Sequence, residues 1–256
     1  GLAHAVILPG GHLPRFVQQS LNEAKYTTSD LNKFYSAFFW RNALSSRYDQ
    51  GFLTKLSDDL KRIHEVLVNL NKYSGSTIWS EKAHSALDEI FSNTHPVRSA
   101  EQIKATLLED DIRGAQKQAI NLYLHSQTKF DLVTGNKLDR FSEDREKKVD
   151  MHHIFPKAWC KDNSSSFPGL DKYTNSIANL VPLSAKSNGE HWKSKSPKTA
   201  IENLGITWDA CADYFELAII NEDLFKKLNE PSPDPIDFFQ RRAELIANQL
   251  MKLQCL

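Results

Sequence analysis

The chain has 256 residues, 40% of them hydrophobic, with 32 basic and 32 acidic side chains that leave a formal net charge of zero. That length and apolar content support one large domain or two small ones with a packed core. The balanced charge excludes a polycationic nucleic-acid coat, so any phosphate binding has to come from a local basic groove. Cys160, Cys211 and Cys255 lie far apart with no CxxC pair, which argues against a zinc ribbon. With no secretory signal, they point to a reducing, cytoplasmic setting. The apolar run Ala3 to Leu8 is too short to span a bilayer and is broken by Pro9, so no membrane partner is expected. Gly1 without a preceding Met reads as a processed or truncated start of a longer natural protein.

In chain order, a first helix is expected from Ser29 and Asp30, as caps, through Phe34, Phe38 and Leu44. Leu56, Leu60, Ile63, Leu67 and Leu70 recur at steps of four and three, which predicts a helix from about Gln50 to Asn71. Two further helices are expected over Ala100–Leu108 and Ile112–Gln127. Leu132 to Asn136 then reads as a short strand entering a turn. Asp139 to Lys148, dense in mixed charge, reads as a solvated loop. Val149–Phe155 and Ala178–Ser184 carry the clearest strand signals.

A short helix is expected near Ala185. Another opens at Ser196-Pro197 and stops at Gly205, and one covers Trp208–Ile220. Asn229 to Pro235 is a proline-stiffened linker. After it, Phe239, Ala243, Ile246, Leu250 and Leu253 repeat the helical spacing. The expected fold is mainly α with a small β-hairpin. It divides into a helical region (1–128), a ββα core carrying chemistry (129–205) and C-terminal helices packing on that core (206–256).

The chemistry concentrates in Asp150-Met-His-His-Ile-Phe-Pro156, followed by Asn175-Ser-Ile-Ala-Asn-Leu-Val-Pro-Leu-Ser184 and Asn188. Phosphodiester hydrolysis needs a base for the attacking water, and histidine titrates near working pH. It also needs a charge sink for the leaving oxygen, which a divalent ion supplies. Neighbouring strand residues point to opposite sides, so one of His152 and His153 can face a metal and the other the water. From the helix after the second strand, Asn188 can reach back as a ligand. His191, three residues on, is a possible further metal or phosphate contact. Asp150 either supports His152 or is solvated.

Lys157, Lys161, Lys186, Lys193 and Lys195 sit in or beside the motif, and their concentration there points to DNA-phosphate contacts. Trp159 and Trp192 read as packing residues rather than base-stacking ones. Arg41, Arg47, Arg241 and Arg242 read as structural.

The ordered set His-His-Ile-x-Pro, Ala-Asn-Leu-x-x-Leu-Ser and a second Asn nine residues after the first resembles the HNH, or ββα-metal, nucleases. That resemblance makes His153 the general base and His152 a metal ligand. It makes Asn179 the residue that holds the catalytic loop, and Asn188 the second metal ligand. The ion it implies is Mg²⁺ by default, with Mn²⁺, Ni²⁺ or Zn²⁺ open because one ligand is an imidazole. The commoner family pattern has an acidic residue at the position of His152 and His at that of Asn188.

His-His-Ile-Phe-Pro-Lys after Asp131-Leu-Val-Thr-Gly135, with Phe38-Phe-Trp-Arg41, Arg47-Tyr48 and Phe238-Phe239-Gln-Arg-Arg242, is similar to the nuclease region of GmrSD-like restriction proteins. The resemblance implies DNA cleavage in bacterial antiviral defence. It also implies an N-terminal nucleotide-sensing domain, whose DGQQR-type motif this chain lacks. The alternatives are a catalytically inactive nucleic-acid- or partner-binding module, and RNA cleavage.

Overall fold

The computed structural model describes residues 28–48, 50–73, 75–91, 95–110 and 112–256. Gly1 and the apolar run Ala3 to Leu8 with Pro9 lie outside the described residues. The described residues are mainly helical with one two-stranded antiparallel sheet, the fold class expected. Among the described residues, no helix is long and apolar enough to cross a membrane.

The chain forms two compact units. One holds the described residues up to Ala100, with Gly114–Ala119 and Gln249–Leu256; the other holds Glu101–Arg113 and Ile120–Asn248. This division differs from the boundaries drawn at 128 and 205. The last turns of the C-terminal helix and the first of a central one group with the N-terminal helices, by contacts that linear sequence does not display.

The first unit is built on α1 (Thr28–Ser45), α2 (Phe52–Leu70) and α3 (Ile78–Phe91). Phe34, Phe38, Ile63, Leu67, Trp79, Ala83, Leu87 and Phe91 form its buried core. The apolar face of α2 follows the periodicity read from sequence. Helix α3 has the same kind of face at Trp79, Ala83, Leu87 and Ile90, but its second position is only an alanine, which weakens the pattern. Ser29 and Asp30 fall inside the first turn of α1, which starts at Thr28.

The second unit contains most of α4 (Ala100–Leu107) and of α5 (Gly114–Gln127), β1 (Val149–His153), α6 (Lys157–Asp162), β2 (Leu180–Ser184), α7 (Pro197–Leu204), α8 (Trp208–Leu217), α9 (Glu222–Leu228) and most of α10 (Pro235–Leu253). Strands β1 and β2 pair from Val149 opposite Ser184 to His153 opposite Leu180. Helix α7 opens as expected: the Ser196 hydroxyl accepts from Thr199 N–H, Pro197 takes the first position, and Gly205 closes the helix in the left-handed region at φ 62°. The proline-rich linker ends in a cap, because Asp234 accepts from the N–H groups of Ile236 and Asp237.

The expected strand at 132–136 is a turn. The Asp131 carboxylate accepts from Val133 and Thr134 N–H at 2.9 and 3.2 Å, and this local bonding competes with a ladder. Only a single bridge, Phe130 to Lys137, remains of extended pairing there. Gly135 has φ 67°, and a Cβ on it would come within 2.8 Å of the Tyr214 ring, so a larger residue there is strained in its backbone and displaces that ring. The loop at 139–148 is exposed along most of its length, as its charge implied, including Phe141 at 93%.

Candidate active site

Both strands are shorter than their sequence signals, and the cause is Asn179. Ile154 N–H still reaches the Asn179 backbone carbonyl at 2.8 Å. One residue further, the Asn179 side chain takes the place of a partner strand. Its oxygen accepts from Phe155 N–H at 2.8 Å, while its nitrogen donates to the Phe155 carbonyl at 3.0 Å and to the Thr174 carbonyl at 2.8 Å. Three of the four bonds a carboxamide can make are thereby used, and Asn179 is fully buried in a 3₁₀ turn, Ile177–Asn179. The segment immediately after His153 is therefore bolted at Phe155.

Three further side chains fix the same frame. The Trp192 indole N–H donates to the Ile154 carbonyl at 2.8 Å. Arg242 of α10, fully buried, donates to the carbonyls of Ala178 and Leu180 at 2.8 Å and of Ala218 at 3.0 Å. Burial pulls its pKa below the ordinary arginine value, yet a guanidinium stays charged in practice. Asp131, 2% exposed, accepts from Ser184 N–H at 3.0 Å and the Ser187 hydroxyl at 2.8 Å, tying its turn to the end of β2. Phe155 lies in an aromatic nest with Trp159, Phe238 and Phe239 at centroid distances of 5.2–5.5 Å. The packing readings of Trp159 and Trp192 and the structural reading of Arg242 agree with these contacts.

Within this frame His152 and His153 are half-buried at the end of β1. Each has a buried Nε2 with no hydrogen-bond partner. Their surroundings differ, as alternation along a strand requires. Burial lowers the His152 pKa against the opposing pull of Asp150 and Asp131. Burial also lowers that of His153, helped by the Lys157 charge and opposed by a hydrogen bond to the Asn175 side chain. Both imidazoles are thus biased toward the neutral form, the one with a lone pair for a proton or an ion. Asp150 is exposed and lies 3.4 Å from the Lys148 ammonium while still acting on His152. His125 of α5 also feels Asp150, together with Arg140, and is held down by burial.

After β2 the chain turns helical at Ala185 and continues as a π-helical turn over Ser187–Trp192. Asn188 is half-buried there, and its carbonyl accepts from Lys193 N–H at 2.6 Å. Lys193, at φ 45°, closes the turn with a positive φ that non-glycine residues seldom adopt. Such π turns recur at functional sites. Winding with i to i+5 hydrogen bonds also removes the premise for His191, since residues three apart no longer share a face. His191 instead lies 3.9 Å from the Glu190 carboxylate.

The lysines separate. Lys157 acts electrostatically on His153, Lys186 pairs with Glu146 at 3.2 Å, Lys195 donates to the His191 carbonyl at 3.0 Å, and Lys193 is exposed.

Among the described residues, no cluster of three or more His, Cys, Asp or Glu side chains is arranged to hold a metal ion. The expected pair of His152 and Asn188 contributes only one member of that set. The unpartnered Nε2 of His152 is the donor that fits an ion. A carboxamide oxygen is a compatible second, with remaining positions left to water and phosphate oxygens. Sequence reasoning missed Asp110, Asn175 and the anchoring roles of Asp131 and Arg242. Of these, only Asp131 carried a local signal, as an Asp opening a turn that ends in Gly.

An uncharacterized protein of Methanocaldococcus jannaschii is 24% identical over an alignment of 251 residues that takes in 90% of this chain and 38% of that protein. The chain therefore spans well under half of that relative's length. No known protein family matches the chain, and no solved structure matches it.

Proposed function

We propose that the chain carries a metal-dependent HNH endonuclease site that hydrolyses DNA, acting in the cytoplasm as the effector part of a bacterial antiviral restriction system. The observation that carries the reading is the finish of β1. Two adjacent histidines with unpartnered Nε2 atoms are followed at once by a backbone that Asn179 clamps on both its N–H and its carbonyl. That is the loop-holding role the resemblance gives to Asn179, and its cost in buried polar groups is what a positioned base demands.

His153, neutral in its buried setting, accepts the proton of an attacking water at Nε2. Asn179 and Trp192 hold the residues after it so that the ring does not swing with the chain. His152 and Asn188 are the residues that would hold a divalent ion, with Mg²⁺ the default. When bound, the ion supplies a charge sink for the phosphoryl and leaving oxygens. Lys157 and Lys193 supply positive charge for the phosphate backbone. Lys186 and Lys195 do so only after exchanging the partners they already have. An N-terminal nucleotide-sensing domain belongs to this proposal as a partner outside the chain.

The test is supercoiled-plasmid nicking by the purified chain with Mg²⁺ or Mn²⁺, with and without EDTA, beside a single-stranded RNA substrate. DNA nicking that needs the metal is expected. Cleavage confined to RNA would reassign the substrate. Binding of DNA without cleavage under any divalent ion would favour an inactive binding module.

A further inference from the structure

We infer that Arg242 is a positioning residue for the candidate site: it holds the Asn179 turn from behind, so that the carboxamide stays locked on Phe155. The consequence for cleavage rests on the nuclease reading; the lock itself does not.

The two residues that flank Asn179 present their carbonyls to one nitrogen. Arg242 Nη1 has two N–H groups to give, and it donates to Ala178 and to Leu180, each at 2.8 Å. Nη2 donates to the Ala218 carbonyl at 3.0 Å. The Asn179 carbonyl between them accepts from Ile154 N–H instead. Three successive carbonyls, 178–180, are therefore held, and the backbone that carries the Asn179 side chain has little freedom to turn. In a two-stranded sheet the carbonyls of Ala178 and Leu180 find their donors on a side chain rather than on a third strand.

The guanidinium suits this task through its shape. Its donors lie in one rigid plane, so the carbonyls it gathers are fixed relative to one another. A lysine ammonium on a flexible stem does not impose that spacing. Arg242 is fully buried and its Nε has no partner, so these three carbonyls are what hold it.

The same helix reaches the other end of the lock. Phe238 and Phe239, one turn before Arg242 on α10, pack on the Phe155 ring at centroid distances of 5.5 and 5.4 Å. The Phe155 backbone is held by Asn179 on its N–H and its carbonyl. Helix α10 thus grips the Phe155 side chain directly and its backbone through Asn179. The third bond of the carboxamide goes to the Thr174 carbonyl, and the next residue, Asn175, is anchored by Asp110, 65 residues earlier in sequence. The Asp110 carboxylate accepts from the Asn175 N–H at 2.9 Å and from its side-chain nitrogen at 3.2 and 3.3 Å. Arg242 lies outside the His-His…Asn…Asn motif and does not need to touch substrate; it acts through the turn.

The experiment is hydrogen exchange followed by NMR on the full chain without metal, beside nicking rates. In the wild-type chain the Phe155 N–H and the Asn179 side-chain amide protons are expected to exchange slowly. The Arg242 Nη protons should give separate, slowly exchanging signals. In Arg242→Lys the Phe155 and Asn179 protons should exchange about 10–100-fold faster, the share of a charged hydrogen bond. The amides of α7, which receives no bond from Arg242, should keep their wild-type rates. In nicking assays kcat should fall about 10–100-fold with KM for DNA unchanged.

Averaged, fast-exchanging Arg242 Nη signals in the wild-type chain overturn the lock, whether or not any variant folds. So does unchanged Phe155 and Asn179 exchange in a folded Arg242→Lys. An equal acceleration throughout α7 would make Arg242 a general stabiliser and overturn its positioning role, as would a wild-type kcat in a variant whose Phe155 N–H exchanges fast. Local acceleration in a chain that cuts nothing upholds the lock and removes only the nuclease reading.

Discussion

Two buried polar clusters, one in each unit, are finished in opposite ways. In the first unit Asp59, fully buried, is saturated: Arg47 meets both of its oxygens and the Tyr48 hydroxyl adds a third bond at 2.6 Å. The Arg47 guanidinium also lies over the rings of Tyr48 and Phe91 at 5.5 and 5.4 Å. In the second unit the backbone around β1 is bonded as thoroughly, by Asn179, Trp192 and Arg242. Yet the two imidazoles it carries keep buried nitrogens with no partner. Buried polar atoms left unsatisfied cost stability. The Asp59 cluster is arranged for the fold; the second cluster leaves both imidazole Nε2 atoms, and the Arg242 Nε as well, without partners, and the proposed site would use the two on the histidines.

Substitution separates the two. His153→Ala should reduce metal-dependent nicking by about 10²–10⁴-fold and leave the urea midpoint the same or slightly higher, since it removes an unsatisfied group. Asp59→Ala should do the reverse. It strands Arg47 and costs about 3–5 kcal/mol of stability, with nicking intact well below the midpoint. If His153→Ala lowers the midpoint as far as Asp59→Ala does, the imidazole is a structural group and the contrast collapses.

Asn179→Ala joins the two behaviours. It leaves the Phe155 N–H and two carbonyls without partners, at a cost of about 2–3 kcal/mol. The His153 loop loosens as well, so kcat should fall in a variant that still folds. Paired urea melts and nicking rates measure both.

The pH dependence of stability is a smaller effect. His125, His152 and His153 have pKa values lowered by burial, so the unfolded chain binds protons that the folded one refuses. Their contribution is complete above the unfolded value of about 6.5. It is lost as pH falls from there through the lower folded values. Urea melts from pH 8 to 5 should show the midpoint falling on the acid side, with a shallower fall in His153→Ala. The smallest effect is that of Lys186→Ala. Its partnership with Glu146 is at the surface, so the midpoint should not move, and a rise in KM for DNA alone would mark a phosphate contact.

Much of this architecture could be read from residue order, because it rests on local signals. The face of α2, the Ser196-Pro197 opening and Gly205 close of α7, and the burial of Phe239, Ala243, Ile246 and Leu250 on α10 all follow from periodicity and capping. Helices α6 and α9 are six and seven residues long, too short for an apolar period to repeat. The turn at Asp131 passed for a strand because a side chain, rather than a composition bias, takes the backbone donors. At the candidate site the histidines and Asn179 stood out through their order. Asp110 and Asn175 did not, because a bond across 65 residues leaves no trace in spacing. Arg242 could be assigned a structural role in advance, but the three carbonyls it gathers could not be named.

The account depends most on His152 and Asn188 serving one divalent ion beside His153. Crystals soaked in Mn²⁺ and measured at the manganese absorption edge test this directly. The expected result is a single anomalous peak about 2.0–2.3 Å from His152 Nε2 and the Asn188 side-chain oxygen, absent from crystals of His152→Ala. A peak held by other residues, or none at saturating Mn²⁺, would contradict it.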